Sequence, residues 1–466
     1  HNMKRNLMNL KIFTFVCFFM GIANVCAAEG ELITQPITLH VESPGNLENQ
    51  IGWTKAQLIT NLTLTGDLNG TDINYLRCMA GRTSSNVGIG GNLYYLDLSG
   101  ANIVEGGKEY FNWNGRYDRT TDNSVGDYMF HQCTLVSVKL PKSTKYIGSN
   151  AFSGCKNLEE VDIPDGVELI DGLAFYDCGK LSSITIPNSV TTLEGMAFEG
   201  CKKLKEAKLS DGLKKIENDC FKFCSSLEKV TMPKDLEVIS WGAFSDCTSL
   251  KNIDIPRTVT KIDKDAFESC TALASVNITD FNAWSHITFG ETNKEYYAPQ
   301  NSNPVYYAKH LYVNGAEIDN VNIPSDIIGI GANAYCGMES LKKANIHSNV
   351  ISVGNNAFYG CKNMSEIYVY AIKPPKATKS CFDGIDKQSC TLYVPRGTYM
   401  DYFLAEGWGD FLNIVEFDAT GIDNPDLSCK PKPVDYYNIN GMKTTRQTKG
   451  LNILRMSDGT YMKTSF

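Results

Sequence analysis

Leu158-Glu-Glu-Val-Asp-Ile-Pro-Asp-Gly-Val-Glu-Leu-Ile-Asp-Gly-Leu-Ala-Phe-Tyr-Asp-Cys178 is one turn of a repeat, and its reading decides the fold. Val161 and Ile163 alternate with polar residues, the period of a half-buried strand. Pro164 has no N–H to give to a ladder, so the strand stops there. Asp165-Gly166 turns the chain, and Val167 to Ile170 supplies a second short extended face. Gly172 to Cys178 is too short for a stable helix, and reads as a single helical or 3₁₀ turn with Ala174, Phe175 and Cys178 pointing inward.

The same unit recurs in both directions. Cys155, Cys178, Cys201, Cys224, Cys247 and Cys270 fall every 23 residues, and Phe152, Phe175, Phe198, Phe221, Phe244 and Phe267 keep that interval three positions earlier. The strand ends Leu140, Ile163, Ile186, Leu209, Met232, Ile255 and Ile278 keep it too, with Pro following at 141, 164, 187, 233 and 256. Several columns sharing one interval are the mark of a stacked-repeat architecture. No 23-residue unit buries enough apolar surface alone, so each coil must cover its neighbours. The expected fold class is a repeat solenoid of short β-strands and helical turns.

Sixteen cysteines would suggest a disulfide framework if the chain were exported, but their spacing is the repeat's own. Metal sites favour Cys pairs two to four residues apart, and the thiols instead read as small buried apolar groups. Cys220 and Cys381 fall in the column of Ala151, Ala174, Ala197, Ala243 and Ala266. Cys78, Cys336, Cys390 and Cys429 lie outside both columns, and their redox state is left open by the sequence.

Around this core the chain changes character. The columns dissolve over residues 279–322, an interruption of the solenoid assigned to 130–395. A closing cap follows at 396–418, where Met400, Phe403, Leu404 and Trp408 have apolar spacing suited to covering an open end. Upstream, 29–129 reads as an N-terminal cap with atypical leucine-rich repeats: Leu62-Thr-Leu64 and Leu93 to Leu98 resemble their strands, and Asp72 is placed to cap a helix over Ile73 to Ala80. Residues 419–433 read as a linker. Residues 434–466 read as a small β module of two hairpins, with Asn440-Gly441 and Asp458-Gly459 as turns.

The chain has 466 residues, a length of about three domains, with 42% hydrophobic and 21% charged residues. That is the composition of an ordered protein rather than a disordered chain or one with many membrane spans. Net charge is −8, with basic ends around an acidic body, which argues against nucleic acid or anionic lipid as partner. Lys4 and Arg5, an apolar run from Ile12 to Ala23 and small residues at Cys26-Ala-Ala28 read as a signal peptide over 1–28, leaving no transmembrane segment in the mature chain.

Units written Leu-x-x-Val-x-Ile-Pro-x-x-Val-x-x-Ile-x-x-x-Ala-Phe-x-x-Cys, as in Leu181 to Cys201 and Leu250 to Cys270, resemble the BspA-like leucine-rich-repeat proteins of bacterial surfaces. Asn303 to Gly315 is similar to that family's interrupting segment, and Leu392 to Trp408 to its closing unit. Ser210 in the Pro column, and Tyr335 and Met338 in the Phe and Cys columns, depart from the pattern. The resemblance implies a cell-surface or secreted protein that adheres to host extracellular or bacterial surface proteins. Tyr436 to Gly441 with Lys449 to Leu454 is similar to C-terminal sorting modules of exported Bacteroidetes-type proteins, with periplasmic retention as the alternative.

Enzyme signatures are largely missing. The six His are widely separated, without His-Glu-x-x-His or Gly-x-Ser-x-Gly, and no cofactor or metal is indicated. Asp67-Leu-Asn-Gly-Thr-Asp72 reads as a turn into a cap rather than a calcium loop. A carboxylate pair brought together from distant positions would leave no sequence trace, so a glycoside hydrolase stays as the least favoured reading. The leading reading is a non-catalytic, adhesin-like binder of proteins, with a glycan-binding module as the alternative. The candidate ligand contacts are Tyr110, Phe111, Trp113 and Tyr117 in an aromatic Asn/Gly-rich loop, and Trp284, Tyr296 and Tyr297 in the interruption. The competing reading tucks the loop over the first coil, and packs Phe281 and Trp284 into the irregular one.

Overall fold

The computed structural model describes residues 30–291, 302–419, 433–438, 440, 442–445, 451–456 and 461–465. The chain divides at Leu204/Lys205 into two compact units. Each is built from coils whose short strands pair in parallel with the coils before and after.

In the first unit the strands Ile37–Val41, Asn61–Leu68, Tyr95–Ile103, Ser137–Lys139 and Glu160–Asp162 lie side by side in chain order. A second parallel ladder runs through Ser124–Val125, Tyr146–Ile147, Leu169–Ile170 and Thr192–Leu193. Ser137 faces Glu160 and Leu169 faces Thr192, so the sequence interval is the register of the ladders. Pro141, Pro164 and Pro187 sit just past the first strand of their coils, where no donor is needed.

The third side of each coil carries a turn over Gly172 to Cys178, but not the helical or 3₁₀ turn expected there, because Leu173 and Asp177 lie in the left-handed region, which a right-handed helical turn does not contain. Asn150, Phe152 and Gly154 donate their N–H groups to the carbonyls of Gly172, Ala174 and Tyr176 in the next coil, at 3.2, 2.7 and 2.7 Å. The intervening Ala151, Ser153 and Cys155 donate three residues back, to Gly148, Asn150 and Phe152. Alternate amides thus serve the turn and the neighbour, and the backbone of the apolar corner is paired throughout. The alternation puts two residues per coil in the left-handed region, one before the Ala and one before the Cys. Asn150, Gly154, Asp177 and Gly200 fill these positions at little steric expense. Leu173 (φ 62°) and Met196 (φ 59°) occupy the same region with bulky side chains.

Inside this corner the phenylalanines stack. Phe152 and Phe175 are 5.2 Å apart and tilted by 1°, and Phe175 and Phe198 repeat those values. The column cysteine packs beside them and also donates: Cys178 Sγ lies 3.2 Å from the Phe152 carbonyl and Cys201 Sγ 3.3 Å from that of Phe175. A small apolar residue with a weak donor fits that place. All the cysteines among the described residues are buried and outside any disulfide, Cys78, Cys336 and Cys390 included, while Cys429 lies outside the described residues. Burial raises the column thiols, Cys270 to about 12.

The helix upstream spans Gly70–Met79, with Asn69 rather than Asp72 at its N-cap. Asp72 stands at the third helical position and completes a capping box, accepting from Asn69 N at 3.0 Å. Its carboxylate also accepts from the backbone N–H groups of Gly45 and Leu47, which ties the first turn of chain to the helix.

The second unit repeats the plan with one break. Lys215–Ile216, Val238–Ile239, Lys261–Ile262 and Thr288–Phe289 form a parallel ladder. Asn252–Asp254, Ser275–Ile278 and Leu311–Val313 form another, which Ala316–Glu317 closes as an antiparallel hairpin at Asn314-Gly315. A new parallel sheet then runs Asn320–Asn322, Lys343–Ile346, Glu366–Val369, Thr391–Pro395 and Asn413–Phe417. Buried Asn303 bridges the break, with Nδ2 donating to the carbonyls of Asn333 and Ala334 at 2.8 and 3.0 Å. Tyr335 replaces Phe in the stack because a partner exists: its hydroxyl lies 3.0 Å from Ser285 Oγ, and its ring stacks on Phe358 at 5.3 Å.

The cap helix Tyr399–Leu404 buries Met400, Tyr402 and Phe403, while Leu404, expected inside, is 53% exposed. Tyr402 and Trp408 are anchored through their polar tips to the carbonyls of Ala371 and Pro375. Beyond it, Pro433–Asn438, Lys443–Thr444, Leu451–Met456 and Tyr461–Ser465 pair antiparallel as two hairpins joined into one sheet. Leu454 and Met456 pack against Met400 and Phe403, so this module shares a small core with the cap.

Candidate functional site

The segment read as an aromatic loop is a β-hairpin, Gly106–Trp113 paired with Arg116–Thr120. Asn114 (φ 51°) and Gly115 (φ 81°) form its turn, both in the left-handed region that a two-residue hairpin turn demands. The pairing shifts register between Gly106 and Phe111, and the aromatic side chains divide across it.

Tyr110 and Phe111 are each 1% exposed, which corrects the exposure expected of them and agrees with the tucked reading. The Tyr110 hydroxyl donates to the Asp127 carbonyl at 2.9 Å, and burial raises its pKa. Phe111 stacks on Tyr128 at 4.8 Å, and the Arg77 guanidinium lies 5.2 Å from its ring centre. Trp113 and Tyr117 turn outward, 48% and 63% exposed. Between them Arg116 pairs with Asp118 at 2.7 Å and with Asp127, and rests 4.7 Å over the Tyr128 ring. The exposed rings therefore stand on a braced hairpin rather than on a loose loop.

In the interruption, Trp284 is 2% exposed and packs 5.4 Å from Phe289, so it fills the irregular coil and offers no outer surface. Tyr296 and Tyr297 lie outside the described residues.

A second outward aromatic group escaped the sequence reading. On the solvent face of the last parallel sheet Tyr368 and Tyr393 occupy paired positions and stack at 4.2 Å. Lys343 Nζ sits 4.2 Å from the Tyr368 ring, and Phe417 meets Tyr368 and Tyr370 edge-on. Earlier outward positions in this sheet hold Asn320, Asn322, Lys343 and Asn345. Burial, Glu366 and Tyr393 together push the Tyr368 phenol up to about 12. The available signal was strand alternation: Tyr368 lies between inward Ile367 and Val369, and Tyr393 between Leu392 and Val394.

Charged side chains on the coils are largely paired one coil apart, as in Lys229–Glu206 at 2.8 Å and Lys251–Glu228 at 2.9 Å. Exposed pairs of this kind add little to stability, and serve mainly to neutralise the outer faces. Among the described residues no group of three or more His, Cys, Asp or Glu is placed to hold a metal ion.

Comparison with known proteins agrees with the repeat geometry. A search of curated proteins finds no match. Among solved structures the chain is similar to a leucine-rich repeat protein from Bacteroides ovatus, at 24% identity over 65% of this chain and 78% of that one, TM-score 0.42. A leucine rich cell surface protein from Faecalibacterium prausnitzii is 21% identical over 65% and 85%, TM-score 0.29. The pneumococcal vaccine antigen PcpA is 15% identical over 77% and 80%, TM-score 0.28. The BspA type leucine rich repeat region matches in six copies, over residues 123–240, 168–296 and 307–395. With more than half its length matched and the same repeat visible in its ladders, the chain belongs to the BspA-type leucine-rich-repeat family.

Proposed function

We propose that this protein is an exported, non-catalytic recognition protein of the bacterial surface, which binds a host extracellular or bacterial surface protein through its outer faces. Residues 1–28 would serve as its leader and 434–466 as its delivery module, on either side of the cap and repeat regions assigned from the sequence. The observation that carries the reading is the braced hairpin at 106–120, which displays Trp113 and Tyr117 beside Arg116 while its other rings are anchored in the core. Trp, Tyr and Arg on a rigid support are the side chains that most often dominate protein interfaces. The coil interiors, filled by Phe, Cys, Leu and Ile, leave recognition to the surface, and stacked repeats supply an extended one.

Solid-phase binding to a panel of host matrix proteins, run beside a glycan array, tests the reading. Saturable binding to at least one protein of the panel is the expected result. Binding confined to glycans would replace it with the glycan-module reading.

A further inference from the structure

Two arginines in the first unit lack the partner that other arginines of the chain possess. Arg116, Arg119, Arg396 and Arg455 each contact a carboxylate. Arg77 is fully buried, and donates only to the backbone carbonyls of Tyr128, Met129 and Thr83, at 2.8, 2.8 and 3.2 Å. Its Nε has no partner among the described residues. Arg82 is half-buried and donates to the carbonyls of Gln132 and Asn86, and it too meets no carboxylate among the described residues. Carbonyl dipoles solvate a guanidinium but do not neutralise it, so the region keeps an uncompensated positive potential at low dielectric. Burial, and then the Arg77 and Arg82 charges, lower the pKa of His131 to about 4.

Beside these cations the surface opens into a cleft of about 470 Å³, within the ordinary range for small-ligand sites. Arg82, Lys156, Gln132, Asn157, Thr134 and Tyr176 contribute to its lining, and so does the carboxylate of Asp177. Lys156 is well exposed and only loosely paired, 3.9 Å from Asp177. The Tyr176 side chain is 38% exposed. The lining thus offers cationic groups for an acid, amide and hydroxyl groups for hydroxyls, and one aromatic side chain for an apolar ring face.

We propose that this cleft is a binding site for an acidic monosaccharide unit, whose carboxylate or sulfate is taken by Arg82 and Lys156 and whose hydroxyls meet Gln132, Thr134 and Asn157. The site is separate from the protein-recognition hairpin and does not depend on it. A neutral sugar would leave the cations unpaired, and a bare inorganic anion would leave the amides and hydroxyls to water. The ordering of ligands is therefore acidic sugar first, then inorganic anion and neutral sugar.

The test is isothermal titration of the purified chain with sodium glucuronate, glucose and sodium sulfate, repeated on Lys156→Glu and Arg82→Gln. Saturable glucuronate binding, at least tenfold tighter than glucose or sulfate and weakened at least fivefold by Lys156→Glu, is expected. Lys156 lies outside the core, so that variant keeps the test valid if Arg82→Gln fails to fold. No saturable glucuronate binding, equal binding of glucose or sulfate, or unchanged affinity in Lys156→Glu would overturn the proposal.

Discussion

The regular coils and the hairpin at 106–120 use the same kinds of side chain to opposite ends. In the coils every aromatic in the Phe column is interior, because its position in the turn and the contact with the next coil leave one direction open. In the hairpin four aromatics lie within eight residues, and two face the core while two face water. Residue type is therefore a poor guide to exposure in this protein. What decides is whether a repeat or a strand register fixes the side chain's direction.

The largest test of that contrast is in the stack. Phe175→Ala removes a ring packed between Phe152 and Phe198, and is expected to cost about 3 to 5 kcal/mol in denaturant melts. Lys202→Ala on an outer face is expected to stay within about 0.5 kcal/mol. Equal effects would break the coil description.

Phe111→Ala sharpens the comparison within the hairpin. Its ring is as buried as the stack's, so a loss of about 3 kcal/mol is expected by the same melts. A neutral result would move Phe111 back to the surface set.

A pH effect comes next. His131 titrates near 4 in the folded protein against 6.5 ordinarily, so the unfolded chain takes the proton first as pH falls. Its contribution is complete above about pH 6.5 and is lost between there and about pH 4, to the extent of about 2 kcal/mol after allowance for partial exposure. His131→Asn should flatten this segment of the stability-against-pH curve. An unchanged slope would place the titration elsewhere.

The smallest effect concerns the left-handed positions. Met196 sits at φ 59° and is 38% exposed, so Met196→Asn should relieve strain without opening a cavity. A gain of about 0.5 to 1 kcal/mol in the thermal melt is expected. A loss would show that the Met side chain contributes packing that outweighs the strain.

The fold was legible because its period repeats in independent columns: Phe, Cys, Ala and the strand ends each carry it, and all mark interior positions. The alternating amide ladder was hidden because Leu173, Met196 and Phe223 interrupt the Asn, Asp and Gly run that would have announced left-handed residues. The hairpin carried its own signal in Asn114-Gly115, a dipeptide suited to a two-residue turn, but the dense aromatics around it suggested a loop. Tyr368 and Tyr393 were readable from strand alternation alone. Arg77 was not, since its burial depends on carbonyls about fifty residues away.

The central claim is that Trp113 and Tyr117 recognise a partner while the rings beside them hold the fold. It is tested most directly by measuring Trp113→Ala in two ways: affinity for the protein ligand found in the binding panel, and melting temperature. At least a tenfold loss of affinity with an unchanged melting temperature is the expected result. Normal affinity, or a loss that appears only with early melting, would contradict it.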